Sequence, residues 1–215
     1  MKTIIALTVL ISVLTSIAFS SNYEEAMKTN ILKINESKNT ADFTTLANQF
    51  ERIANAENGK WLPGYYAAFC YTWATTVGEM PADDKHKLLD LAQAQIDVLM
   101  KSNKTETEIF ALQAFIYQLR ITDMTKGMKY SVLSNESLDE AERLNPNNPR
   151  VYYMRGTNTF YTPKSFGGGK EKAKPLFEKA AVLFDSQMPA NELSPNWGKE
   201  HNSQMLKQCN EGDKE

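Results

Sequence analysis

Histidine and cysteine are scarce: the 215 residues contain two of each. Cys70 and Cys209 lie in no CxxC pair, and two cysteines make no disulfide scaffold. His86 and His201 have no second ligand at helical spacing, so no zinc site of the usual kinds is expected. The nucleophile and metalloprotease motifs GxSxG and HExxH are missing. A phosphate loop is missing too, because Glu171 follows Lys170 where GxxxxGK[ST] needs a hydroxyl. No segment alternates convincingly as a strand. Nor is there an excess of one charge: 24 basic residues stand against 26 acidic ones. Such a balance points to neither nucleic acid nor an anionic membrane as partner.

What is present begins with a leader. Lys2 supplies a short positive region, and residues 4–18 are apolar apart from Thr8, Ser12, Thr15 and Ser16. Ala18 and Ser20 then place small residues two apart. The apolar run is shorter than the roughly 20 residues that span a bilayer as a helix. Residues 1–20 therefore read as a cleaved secretory signal peptide. No cysteine lies near the cut, so a lipid-anchored start is not expected. The mature chain would have 195 residues, with 23 basic against 26 acidic. It suits one domain over 21–210 with a polar tail over 211–215. Its location would be periplasmic or extracellular. No second run of transmembrane length follows, so no integral membrane segment is expected.

Nine helical stretches are predicted in the mature chain. They are about 23–35, 41–56, 63–77, 83–101, 105–124, 128–144, 150–160, 170–184 and 195–209. Thr40 is a candidate cap for the second. Thr105-x-x-Glu108 reads as a capping box for the fifth. Ser194 and Pro195 read as the N-cap and first residue of the ninth. In the fourth, Leu88, Leu91, Ala92, Gln95 and Leu99 form the expected buried stripe, with Ile96 beside it. Hairpins this short cannot bury their apolar faces alone, and stacking them does.

The repeat is clearest over residues 134–184. Ser134, Leu138, Ala141, Leu144 and Pro146 fall 4, 3, 3 and 2 apart, and Ala173, Phe177 and Ala180 repeat the first two intervals. This pattern resembles the tetratricopeptide repeat (TPR). Ala141 and Ala180 lie 39 residues apart, longer than the TPR period of about 34, and the loop 162–170 holds the excess. Gly156 takes the place of the small A-helix residue, with Tyr152 at the bulky position before it. Earlier units match less well, with Ala68 and Tyr71 as A-helix candidates and Leu91 and Ala94 as B-helix candidates. The resemblance implies an all-α, right-handed solenoid of stacked antiparallel hairpins with a C-terminal capping helix. It also implies a concave face lined by A-helices. On that face it places Arg150, Tyr153 and Thr157, and from the anchor Ala68, Tyr65, Phe69 and Thr72. These are the candidate partner contacts.

Two other features bear on function. The aromatic run Trp61, Tyr65, Tyr66, Phe69, Tyr71 and Trp73 fits either a packed hairpin interface or an aromatic groove. The glycines of 162–170 fit an elongated turn needing positive φ. Neither catalytic nor metal-ligating residues are assigned, and no cofactor is expected. The reading is an exported TPR-like module that binds a protein or peptide without catalysis. The alternative is a helical small-ligand component of a transport system, for which a deep pocket would be the mark.

Overall fold

The computed structural model describes residues 22–211, and among them every regular element is helical. The expected signal peptide lies outside the described residues, as does the tail beyond residue 211. Helix α1 covers 22–36. It is followed by α2 (Thr40–Ala56), α3 (Leu62–Ala74), α4 (Ala82–Ser102), α5 (Thr107–Leu119), α6 (Met124–Leu144) and α7 (Pro149–Tyr161). A 3-10 turn (Lys164–Phe166), α8 (Lys170–Ser186) and α9 (Lys199–Asn210) complete the chain.

The helices form two layers of a TPR-like solenoid. Helix α5 touches both α3 and α7, and each of the three packs on the helix that follows it. Helix α3 buries eleven of its thirteen residues, whereas α4 buries four of twenty-one. A helix apolar on nearly all sides is an inner element; one with a single stripe is an outer one. Helix α9 packs on α8 and caps that end.

The repeat signature is packing chemistry. Ser134, Leu138 and Ala141 on α6 and Ala173, Phe177 and Ala180 on α8 are all fully buried. At Gly156 on α7, an added Cβ would lie 2.6 Å from a ring carbon of Phe177. Glycine there lets α7 and α8 approach until the ring fills the gap. Burying a phenylalanine side chain stabilises by about 1.5–3 kcal/mol.

Several local expectations are corrected. The buried stripe of α4 is Leu89, Ala92, Ile96 and Leu99, while Leu91 and Ala94 face solvent. The cap of α2 is Asn39, whose side chain accepts from the Asp42 amide at 3.0 Å; Thr40 instead donates to the Ala74 carbonyl on α3. No capping box opens α5, because Glu108 turns inward to Arg150. Helix α6 begins four residues earlier than expected, with Asp123 accepting from the Lys126 amide at 2.9 Å. Nor do Ser194 and Pro195 open α9. The Ser194 hydroxyl is engaged with Asn191, the chain stays non-helical to Gly198, and α9 starts at Lys199.

Candidate functional site

The inner face of the array is covered by the chain itself. The segment 187–198, between α8 and α9, runs back across α3, α5 and α7. Tyr66 donates from its hydroxyl to the Leu193 carbonyl at 3.0 Å. Arg150 donates to the Pro195 carbonyl. Trp197 donates from Nε1 to the Tyr65 hydroxyl at 2.7 Å. Its ring lies against Phe69, Phe115 and Tyr153, with centroids 5.7, 6.0 and 6.2 Å away. The Arg150 guanidinium sits 5.3 Å from the same ring, within cation–π range.

This placement decides what the residues expected on the concave face can reach. Tyr65, Phe69, Arg150 and Tyr153 are brought together around Trp197, and all are buried. Thr72 and Thr157 are not part of that cluster; each hydroxyl bonds to a carbonyl one turn back on its own helix. Arg150 also donates to Glu108 at 3.0 Å. Burial pushes the Glu108 carboxyl above its ordinary range, with Arg150 and Asn148 opposing. Glu108 Oε2 and Arg150 Nε are buried without a partner. Tyr153 donates to, or accepts from, His201 Nδ1 at 2.7 Å, and burial lowers the His201 pKa. Cys70 and Cys209 are free thiols.

The open concavity lies elsewhere. A groove of about 710 Å³ runs between the start of α6, the end of α7 and the 3-10 turn. Its apolar lining is Ile121, Met124, Met128, Val132, Tyr161, Pro163 and Phe166. Among the described residues eleven large hydrophobic side chains are exposed, and six of them line this one groove. Scattered exposed apolar residues are ordinary, whereas a contiguous set marks a binding surface.

Local geometry explains the set. Met124, Met128 and Val132 fall at i, i+4 and i+8 and so share one face of α6. The glycine loop builds the facing wall. Gly167 and Gly169 hold positive φ, and a Cβ at Gly168 would lie 2.1 Å from the Thr162 carbonyl oxygen. The Gly168 and Gly169 amides donate back to Pro163 and Thr159. That closure sets the 3-10 turn so that Phe166 borders the groove. The polar lining is already satisfied. Ser131 and Asn158 bond to each other, Thr162 donates to the Asn158 carbonyl, Thr122 accepts from Lys126, and Asp123 caps α6. The apolar surface is therefore what the groove offers a ligand.

Sequence reasoning missed this groove. The signal was present in two halves: an apolar stripe at the start of α6, and a repeat five residues too long at residues 162–170. Among the described residues no group of three His, Cys, Asp or Glu could hold a metal ion, and no helix is long and apolar enough to cross a membrane.

No protein family matches the chain, and no curated protein matches it. Solved structures do. The HusA haemophore from Porphyromonas gingivalis is 27% identical, with a TM-score of 0.77 over 87% of this chain and 92% of that one. A thermophilic TPR protein of Thermus thermophilus is 15% identical, with a TM-score of 0.61 over 87% and 80%. The second likeness concerns the fold alone. Together they agree with a TPR-like helical binding module.

Proposed function

We propose that this chain is an exported carrier, without catalysis, that holds a flat, largely apolar ligand of the haem class in the groove beside Met128 and Phe166. The observation that carries the reading is the concentration of exposed apolar side chains on one concavity. Its volume of about 710 Å³ falls in the usual range for small-molecule sites, about 300–1,000 Å³. The likeness to a haemophore over most of both chains supports the ligand class. Met124, Met128 and Tyr161 also carry thioether and phenol groups, both of which occur as axial ligands of haem iron. Export rests on residues 1–20, and N-terminal sequencing of the exported protein should begin near Ser21.

Absorbance titration with haem tests the groove. Wild-type protein should bind one haem saturably. Met128→Asp and Phe166→Asp should weaken binding at least tenfold while leaving the helical circular dichroism spectrum unchanged, since both side chains are exposed. Equal binding by all three proteins, or none by wild type, would remove this reading.

A second reading keeps the inner face as a peptide site, with Arg150, Tyr153, Thr157, Tyr65, Phe69 and Thr72 as contacts. The unpaired polar atoms of Glu108 and Arg150 favour it, because the covering segment leaves hydrogen-bonding capacity unused. It requires the segment 187–198 to leave first.

A further inference from the structure

The segment that covers the inner face meets it as a peptide ligand meets a receptor. Residues 187–192 are exposed throughout. What ties them to the helices is a 3.4 Å bond from Gln187 to the Asn147 carbonyl and an exposed ion pair of Glu192 with Lys28 on α1, both weak. The grip begins at Leu193 and has two parts. Tyr66 and Arg150 donate to the carbonyls of Leu193 and Pro195, two residues apart. Side chains that bond to main-chain carbonyls hold the path of a chain whatever its sequence. Selectivity comes from the next two residues. The Trp197 ring and N–H are taken by the aromatic cluster and the Tyr65 hydroxyl. Gly198 has φ +97°, and an added Cβ there would lie 3.1 Å from ring carbons of both Phe184 and Tyr153. Glycine is needed on both counts, the positive φ and the close approach.

Resting on the inner-face reading above, we infer that this face recognises a non-helical peptide ending in Trp-Gly, and that residues 193–198 are an internal copy of that ligand which keeps the site closed. Main-chain bonds supply affinity and a side-chain pocket supplies specificity, the usual division in peptide recognition. An aromatic anchor in a buried pocket is the usual centre of such a site. The internal copy leaves Arg150 Nε and Glu108 Oε2 without partners, so its fit is incomplete. Outward-facing Asn196 is not read.

Labelled synthetic peptides spanning residues 188–198 test this by fluorescence anisotropy. The hosts are full-length Trp197→Ala, whose own segment has lost its anchor, and Trp197→Phe, a milder opening, both checked for a helical circular dichroism spectrum. The unaltered peptide should bind Trp197→Ala most tightly, Trp197→Phe less, and wild type not detectably. On the Trp197→Ala host, a peptide carrying Trp197→Ala should bind at least about thirtyfold more weakly, the size of a hot-spot residue. A peptide carrying Gly198→Ala should bind about tenfold more weakly, the effect of a side chain at positive φ. A peptide carrying Asn196→Ala should bind as the unaltered one does. The inference is overturned if the Trp197→Ala or Gly198→Ala peptide binds as well as the unaltered one, if Asn196→Ala costs as much as either, or if the Trp197→Phe host binds more tightly than Trp197→Ala. Any of these results, with the unaltered peptide bound, would keep the inner face as a peptide site and remove only the Trp-Gly ligand. Failure of every peptide on both hosts would remove the inner-face reading and this inference with it.

Discussion

Replacing Trp197 with alanine removes the side chain on which Phe69, Phe115 and Tyr153 converge. The ring is 9% exposed, so it counts as a core aromatic although it sits in a non-helical segment. Truncations of that kind cost roughly 3–5 kcal/mol. Part of this comes from the Tyr65 hydroxyl, fully buried, which would lose its donor. For a chain of this size each 1 kcal/mol shifts Tm by about 2–4 °C, so Trp197→Ala should lower Tm by roughly 6–20 °C. Trp197→Phe keeps an aromatic ring and loses the N–H. It should cost about 1–3 kcal/mol, the penalty of a buried hydroxyl left unpaired. Urea and thermal unfolding followed by circular dichroism measure both. A loss under about 1 kcal/mol for Trp197→Ala, the level of an ordinary surface change, would mean that the segment 187–198 does not hold the inner face, and the account of that face would fail.

Two further outcomes follow from the packing and the pKa directions. Gly156→Ala drives a Cβ into the Phe177 ring and should cost about 1–3 kcal/mol by overpacking; a neutral result in urea unfolding would show that α7 and α8 sit further apart. Burial holds the His201 pKa below 6.5, so the unfolded chain takes up a proton there before the folded one does. Stability from this site is present above pH 6.5 and is lost as pH falls through the lower folded pKa. His201→Gln keeps an acceptor for Tyr153 and should flatten that part of the pH–stability curve. An unchanged slope below pH 6.5 would refute the assignment.

The solenoid was legible because its signature is steric. Gly156, Ala173, Phe177 and Ala180 must be small or large where they are for two helices to touch, and sequence spacing displays that requirement directly. The fourth helix was less legible. Leu91, Ala94 and Val98 are apolar yet exposed, and a stripe two residues away is the buried one. Apolar residues on both faces give periodicity no way to choose. The groove was hidden by a helix boundary. Running the fifth helix to Met124 and starting the sixth at Met128 puts the two methionines on different helices. The Asp123 cap makes Met124, Met128 and Val132 one face, and an aspartate three residues before a lysine is not a loud signal. The covered inner face was not legible at all. It depends on Trp197 meeting Phe69, Phe115 and Tyr153 from far along the chain, and no local pattern reports a contact of that separation. Pro195 pointed the other way, since it is a favoured first residue of a helix.

The two proposed binding surfaces differ in what a partner must do before it can bind. The groove beside Met128 is already open, so its ligand meets formed apolar surface. A peptide aimed at Tyr65, Phe69 and Arg150 meets the chain's own Trp197 there first. If closure of that segment is worth about 3 kcal/mol, the lower end expected for the tryptophan, the open form is about one molecule in 150. The apparent affinity of the peptide then falls by the same factor. Trp197→Ala should therefore act oppositely on stability and on capture. It should weaken the fold, yet a synthetic peptide spanning residues 188–198 should bind the variant and not the wild type. Haem affinity at the groove should be the same in both, because no lining residue touches Trp197 in the contacts that hold it. Fluorescence anisotropy of the labelled peptide reads the first effect and haem absorbance the second. Equal capture of the peptide by both proteins would show that the inner face is never closed, and capture by neither that it is never vacated; either result would leave the groove as the surface on which the proposed function rests.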